Sequence, residues 1–431
     1  MGLKIGSLAQ LGRRAVSVRL PFWLRLAGLC LGFAAACGIA ALIFDTTKTD
    51  LDLFFWPSAE IAAHGHPLLV YSVRAGVYPN ANGPLSLVPL SLVAAVLNTA
   101  APFAAMRGRD AAIQVLFAAF SLLLAREAVL AVEAGRGRPI HRLLAAIVFL
   151  VAPPLWVAII DFGHLEEPIE LWLVLLGVRL LGRERTVWAG ACIGLAVLTR
   201  SMAVISLIPL LLVVLTGRHW GRAGALLVSA AAVTAIGLLP FWLADRQDAV
   251  YSLLSYRGPL PIEGGSFWYA LRGASWASII QAGDAWIFAG AALVLCGSGS
   301  LRQPRGGLEG PRIYGLLAVA AACIPMLAKT SWPYYLLDPC VFAAIWWLGR
   351  PGRLVSWRAL PPLALAVGGG VLGGVQQNLP PPPIAGAAEG IASSAVLAVV
   401  IALLLVDGGS GPALRRALSP SAEDRTVQPA A

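Results

Sequence analysis

Residues Trp23–Phe44 read WLRLAGLCLGFAAACGIAALIF, and Asp45–Gly83 follow at once as DTTKTDLDLFFWPSAEIAAHGHPLLVYSVRAGVYPNANG. The first stretch is long and apolar enough to cross a bilayer as one helix, since about 20 residues suffice at 1.5 Å of rise each. It exceeds the apolar core of a signal peptide. A lipoprotein-type cleavage at Cys37 fails, because the apolar run continues past it and Ala34 stands where a larger residue is needed. The second stretch has the opposite character, gathering Asp45, Lys48, Asp50, Asp52, Glu60, His64, His66 and Arg74 into one polar segment. The junction predicts a retained helix that delivers a charged loop to one membrane face.

The whole chain extends that reading. Of 431 residues, 58% are hydrophobic and 13% charged, with mean hydropathy +0.77, values outside the range of a soluble domain of this size. The expected fold is all-α: a polytopic membrane protein of about twelve transmembrane helices. One integral domain, 23–406, lies between a cytoplasmic N-terminus, 1–22, and a disordered cytoplasmic tail, 407–431. The cysteines at 30, 37, 192, 296, 323 and 340 all lie in apolar runs and read as small buried hydrophobes rather than a disulfide framework. The net charge of +10 does not indicate nucleic acid, because the basic residues recur loop by loop as membrane anchors do.

Those loops set the topology. Arg13, Arg14, Arg19 and Arg25 precede or open the first span; Arg136–Arg142, Arg183–Arg185, Arg218–Arg222, Arg302–Arg312, Arg350–Arg358 and Arg415–Arg416 follow. Placing all of them in the cytoplasm puts both termini inside. The extracytoplasmic segments are then the first loop, 45–83, the turn Asp161–Glu167, the bend at Arg200, a lid-like loop, 245–283, Lys329–Pro333 and Gln376–Ala388. Between Pro84 and Val132 two apolar runs occur where an odd number of crossings is required, so either one run is re-entrant or interfacial or short helices make three passes.

That projection collects Asp50, Asp52, Asp161, His164, Glu166, Glu167, Asp245, Asp248 and Glu263 on one face, with Arg200, Arg246, Arg257 and Lys329. The orientation rule constrains Lys and Arg and barely concerns carboxylates, so this asymmetry points to a site. Residues 52–63 read as an amphipathic interfacial helix with Leu53 and Trp56 on lipid or protein. Against a site stands capping, since Asp50 and Asp52 at a helix start, and Glu166 and Glu167 in a first turn, satisfy the helix dipole. Trp332, Tyr334 and Tyr335 read as an aromatic belt, and Arg200 either snorkels or meets an anion. His164 with the neighbouring carboxylates suits a divalent metal chemically, but no ligand spacing supports one and none is assigned.

The order of motifs resembles the GT-C glycosyltransferases, and within them the bacterial polyprenol-phosphate-sugar-dependent mannosyl- and arabinofuranosyltransferases. The likeness is carried by Asp52-Leu53-Phe54-Phe55-Trp56, Ala59–Ala63, Gly65, Pro67, Tyr71, Tyr78-Pro79 and Gly83-Pro84-Leu85, then Gly163–Glu167 and Ala189-Gly190 through Leu198-Thr199-Arg200. It covers Trp23–Val214 and fades beyond. Leu53, Trp56 and the insert Asn80–Gly83 depart from the family pattern.

The resemblance implies a multi-pass cell-membrane enzyme with its active face outside. The donor would be a lipid-linked sugar, and the acceptor a glycan, glycolipid or protein hydroxyl; no cofactor beyond the polyprenyl-phosphate sugar is implied. By motif position Asp52 would be the general base and Asp50 its nearest rival. Arg200 and Lys329 would meet the phosphate, and His164, Glu166, Glu167 and Tyr78 would contact substrate. An inverting displacement follows from a single attack on the anomeric carbon. Two other classes share the composition: a transporter or lipid flippase, and a non-catalytic partner of another membrane enzyme.

Overall fold

The computed structural model describes residues 50–72, 78–99, 102–136, 140–301, 310–350, 357–378 and 383–406, with isolated residues between 24 and 36. Segment 1–22, most of the first apolar run, Asp45, Lys48, Arg74 and the tail 407–431 lie outside the described residues. Among those described, the chain is helical with no strand. We label the helices α1 (Trp56–Ala63), α2 (Leu87–Leu97), α3 (Pro102–Arg136), α4 (Arg142–Leu150), α5 (Glu166–Gly182), α6 (Thr186–Thr199) and α7 (Leu207–Thr216). After them come α8 (Trp220–Ala244), α9 (Ala277–Leu301), α10 (Arg312–Leu327), α11 (Leu337–Leu348), α12 (Leu360–Asn378) and α13 (Pro383–Val406).

The helices sort by length. Four described stretches are long and apolar enough to cross a membrane: Gly108–Arg136, Trp220–Ala244, Ala277–Leu301 and Gly386–Leu405. Arg142–Leu150 and Pro153–Ile160 make a fifth if that pair, bent by 53°, is one span. The protein is a helical membrane protein, but this is not the count of about twelve expected from apolar runs. The difference has a physical cause: α6, α7, α10 and α11 have 14, 10, 16 and 12 residues. At 1.5 Å per residue, a helix of 16 residues is only about 24 Å long, short of a hydrocarbon core of about 30 Å.

Several of these short helices are interior. Every residue of α10 from Ile313 to Pro325 is buried, as is every residue of α11 except Trp347. The longer helices carry the outward apolar surface, with Val228, Ile236 and Leu243 of α8, Trp286 and Val294 of α9 and Val399 of α13 all exposed. Apolar side chains facing outward over bilayer-length helices are what lipid requires.

The run between Pro84 and Val132 resolves as one short helix and one long one. An ideal Cβ on Gly108 would touch the Leu97 side chain at 3.1 Å, so α2 ends beside the start of the long α3 span. At the far end of α3, the Arg136 guanidinium donates to the Leu348 carbonyl at 3.0 Å. Only the stretch within α3 has crossing length, in keeping with one net crossing.

The interior helices break at polar residues, and those breaks meet. Arg200 adopts extended backbone (φ −145°, ψ 121°) between α6 and Ser201–Ser206. Gly163 turns left-handed (φ 73°) ahead of α5, and Ala328–Trp332 separates α10 from Pro333–Leu336. Three π-helical turns, Leu51–Phe55, Val157–Phe162 and Tyr251–Ser255, lead into the same region. Such wide turns recur at functional sites because they displace a side chain from the regular helical phase. On α6, Gly190 and Gly194 lie against the α8 backbone, which accounts for this part of the motif as close helix packing.

Candidate functional site

A cavity of about 230 Å³ opens where these breaks converge. The first loop supplies Asp50, Phe54, Phe55 and Asn82; the turn before α5 supplies His164 and Glu166; Arg200, Tyr256, Arg257, Glu263, Trp332, Tyr334 and Tyr335 complete most of the wall. Segments assigned to one face by their charges are thus brought together in space. The first turns of α13 pack beside the lid-like loop, where Gly265 N–H donates to the Gly386 carbonyl at 3.1 Å.

Asp50 and Asp52 are not equivalent. Residues two apart on a helix project to nearly opposite sides, about 200° apart. Asp50 Oδ2 meets His164 Nε2 at 2.9 Å on the cavity wall. Asp52 Oδ1 instead lies 3.0 Å from Arg109 Nη1 of α3, away from the lining. The same phase buries Leu51, Phe55, Ser58 and Ala59 at i, i+4 and i+7/i+8 spacing, but with Ser58 on the buried side and Leu53 exposed the apolar and polar residues do not segregate into the amphipathic faces expected. His64 and His66 are exposed at its end.

His164 holds a second carboxylate. Its Nδ1 pairs with Glu166 Oε1, and Glu166 Oε1 also accepts from Asn82 Nδ2 at 2.8 Å. The ring lies 4.1 Å from the Tyr334 ring centre and meets Phe55 edge-on at 5.3 Å. Burial disfavours the imidazolium, but Glu166 and Asp50, one at each nitrogen, outweigh it and raise the group to about 10. Asp50, His164 and Glu166 thus form a carboxylate–imidazolium–carboxylate chain. Because the folded-state value is raised above the ordinary 6.5, its stabilisation is complete below about pH 6.5 and is lost as pH rises through 10. Thermal unfolding in detergent is expected to fall in midpoint across pH 7–10, and His164→Gln is expected to flatten that slope.

The insert Asn80–Gly83, a departure from the family pattern, is part of the site. Asn82 N–H donates to Asn80 Oδ1 at 3.1 Å, and the Asn82 carbonyl accepts from Tyr71 Oη at 3.0 Å, so the turn is closed by its own side chains. Gly83 N–H donates to the Thr199 carbonyl at 3.2 Å. An ideal Cβ on Gly83 would stand 1.9 Å from the Leu198 carbonyl oxygen, so only glycine lets this loop reach the end of α6.

Arg200 is anchored through one nitrogen. Its Nη1 lies 2.8 Å from Glu167 Oε2, 3.1 Å from Glu170 Oε2 and 3.1 Å from Asp338 Oδ2, with the Tyr335 ring centre 5.4 Å from the guanidinium carbon. It therefore does not snorkel: three buried carboxylates hold its Nη1 while the residue also lines the cavity. Lys329 is fully buried, and its ammonium donates to the carbonyls of Arg257, Gly258 and Gln281. It clips the lid-like loop to the break after α10. Burial lowers its basicity, and it has no donor evidently left for phosphate.

Arg257 is the cation the sequence did not single out. It lines the cavity and bonds Tyr335 Oη at 3.2 Å, but its contacts to Asp284 Oδ2 and Thr330 Oγ1 are both long, at 3.4 Å. Nearby Glu263 is held above the ordinary carboxylate range by burial. Tyr78 is about half exposed and packs on Phe54 at 5.2 Å. Tyr334 and Tyr335 are buried in the wall rather than forming a belt at the lipid boundary.

No family model matches the chain, and no curated protein matches it to a significant level. The site residues missed in the sequence did leave partial signals. Glu170 stands one turn beyond Glu167 on a mostly apolar helix, while Asp338 is visible in the sequence as a charge inside an apolar run that is hard to read as surface. Asn82 left none, because its role depends on a contact with Glu166 across 84 positions. Elsewhere in the bundle Glu127 is buried between Arg126 and Arg179, with Arg179 Nε at 2.6 Å. That arrangement joins α3 to α5.

Proposed function

We propose that this chain is a membrane glycosyltransferase of GT-C type. It moves a sugar from a polyprenyl-phosphate donor to an acceptor hydroxyl on the extracytoplasmic face, with inversion. The observation that carries the reading is the Asp50–His164–Glu166 chain on a cavity that Arg257 also lines.

Each side has a role in such a transfer. Asp50 Oδ2 is held by His164, and Oδ1 takes the proton of the acceptor hydroxyl as that oxygen attacks the anomeric carbon. Glu166 orients the imidazole, and Asn82 orients Glu166. The polyprenyl phosphate departs as an anion, so it needs a cation rather than a protonating acid, and Arg257 meets it. Glu263 and Tyr256 are placed to orient sugar hydroxyls. Asp50 thereby replaces Asp52 as the base, and Arg257 replaces Arg200 and Lys329 at the phosphate.

Native mass spectrometry of the purified protein incubated with polyprenyl-phosphate sugars tests the donor assignment. The native chain is expected to retain such a lipid. Arg257→Gln is expected to weaken its binding by roughly tenfold to a hundredfold, the value of a charged hydrogen bond to phosphate at about 1.5–3 kcal/mol. Unchanged retention in Arg257→Gln removes Arg257 from the phosphate site.

A further inference from the structure

The cluster around Arg200 is out of electrical balance. Glu167, Glu170 and Asp338 bring three negative charges, and one guanidinium bonds all three. The side chains are 0%, 3% and 9% exposed, and that of Arg200 is 5% exposed. Ionised, three carboxylates against one guanidinium leave a net charge of −2, where little water is present to screen it.

A second observation concerns individual atoms. Arg200 occupies Oε2 of Glu167, Oε2 of Glu170 and Oδ2 of Asp338. The other oxygens of two of these groups, Glu167 Oε1 and Asp338 Oδ1, are buried with no hydrogen-bond partner. Buried acceptors left unpaired are uncommon and call for a missing donor or cation. The three carboxylates each offer an oxygen within 4.8 Å of the others.

We propose that Glu167, Glu170 and Asp338 bind a hard divalent cation of calcium size, with Arg200 as their outer partner. An all-oxygen donor set selects calcium or magnesium over the softer transition metals. Size separates these two. Oxygens on opposite sides of Ca²⁺, at 2.3–2.6 Å each, stand up to about 5 Å apart, whereas around Mg²⁺ the limit is about 4.2 Å. Mutual separations of up to 4.8 Å lie within the span of calcium, whereas any above about 4.2 Å exceeds that of magnesium. The two positive charges bring the cluster to neutrality.

His164 belongs to the separate pair with Asp50 and Glu166, so the metal set is not the imidazole-centred one the sequence suggests. Because Arg200 and Tyr335 line the cavity, the ion would fix that wall from behind. The proposal stands apart from the glycosyl-transfer reading, since it concerns binding alone.

The test uses the full chain in detergent or nanodiscs, stripped with a chelator and titrated with CaCl2 by calorimetry and thermal unfolding. One Ca²⁺ per chain is expected, with a midpoint of unfolding that rises with its concentration and a Mg²⁺ affinity at least tenfold weaker. Glu170→Gln is expected to weaken Ca²⁺ binding at least tenfold and to abolish the rise in midpoint while helical circular dichroism is retained. If that variant does not fold, Asp338→Asn is read in the same way, and equilibrium dialysis of the native chain against ⁴⁵Ca²⁺ stands without either. The proposal is overturned if the native chain shows no saturable Ca²⁺ binding, if both variants bind as the native chain does, or if the cluster neutralises itself by taking up protons with no response to the cation.

Discussion

Arg200→Leu is expected to destabilise the protein by about 3–5 kcal/mol, the cost of removing one partner from a buried ion pair and leaving uncompensated charge behind. Here the single guanidinium serves Glu167, Glu170 and Asp338, all buried, so the loss strands three carboxylates at once. Thermal unfolding of the detergent-solubilised protein reads the effect, with aggregation or loss of folded yield as its extreme form. Arg200→Lys is expected to fall between the two, because an ammonium keeps the charge but not the planar fork. Adding Asp338→Asn to Arg200→Leu is expected to recover part of the loss, as two residues of one network are not additive. A fully stable Arg200→Leu protein contradicts the assignment of Arg200 to this cluster.

Asp50→Asn carries the largest expected effect on activity. Loss of a general base costs typically 10²–10⁴-fold in rate, and the amide keeps the shape and a hydrogen bond to His164. Sugar transfer by Asp50→Asn is therefore expected to drop at least about 10²-fold with little change in stability. Asp52→Asn is the control. Its partner Arg109 is part-exposed and its own carboxylate is 37% exposed, so the pair contributes about 0–1 kcal/mol and transfer stays within a few-fold of native. Loss of transfer in Asp52→Asn with full activity in Asp50→Asn inverts the assignment.

What the sequence made legible was which segments lie together. Alternating basic loops set Asp50, the turn at His164, Arg200, Arg257 and Lys329 on one face, and those residues meet at one cavity or the clip behind it. Helical content was legible for the same reason, since apolar runs punctuated by Gly, Pro and Arg leave few other solutions in lipid. Rotational phase was not. That Asp50 faces the cavity while Asp52 faces Arg109 depends on how the helix at Leu51–Phe55 is rotated against its neighbours, which only packing decides.

Lengths were misjudged as well, because an apolar run in sequence does not say whether a helix ends at a buried Arg or continues through lipid. The breaks at Arg200 and Lys329 shorten the helices around them below bilayer length. Partner choice was the least visible property: the ammonium of Lys329 is taken by carbonyls up to 72 positions away, and the Arg200 cluster draws on α5 and α11 together.

The most direct measurement is transfer by the purified chain in proteoliposomes. Polyprenyl-phosphate hexoses and pentoses are offered with saccharide acceptors, and products are read by mass spectrometry and anomeric NMR. The expected result is one sugar joined to the acceptor with inverted anomeric configuration, release of polyprenyl phosphate in equal amount, and loss of both products in Asp50→Asn. Movement of the intact donor lipid between leaflets, with no sugar transferred from any donor, contradicts the account and marks the protein as a transporter.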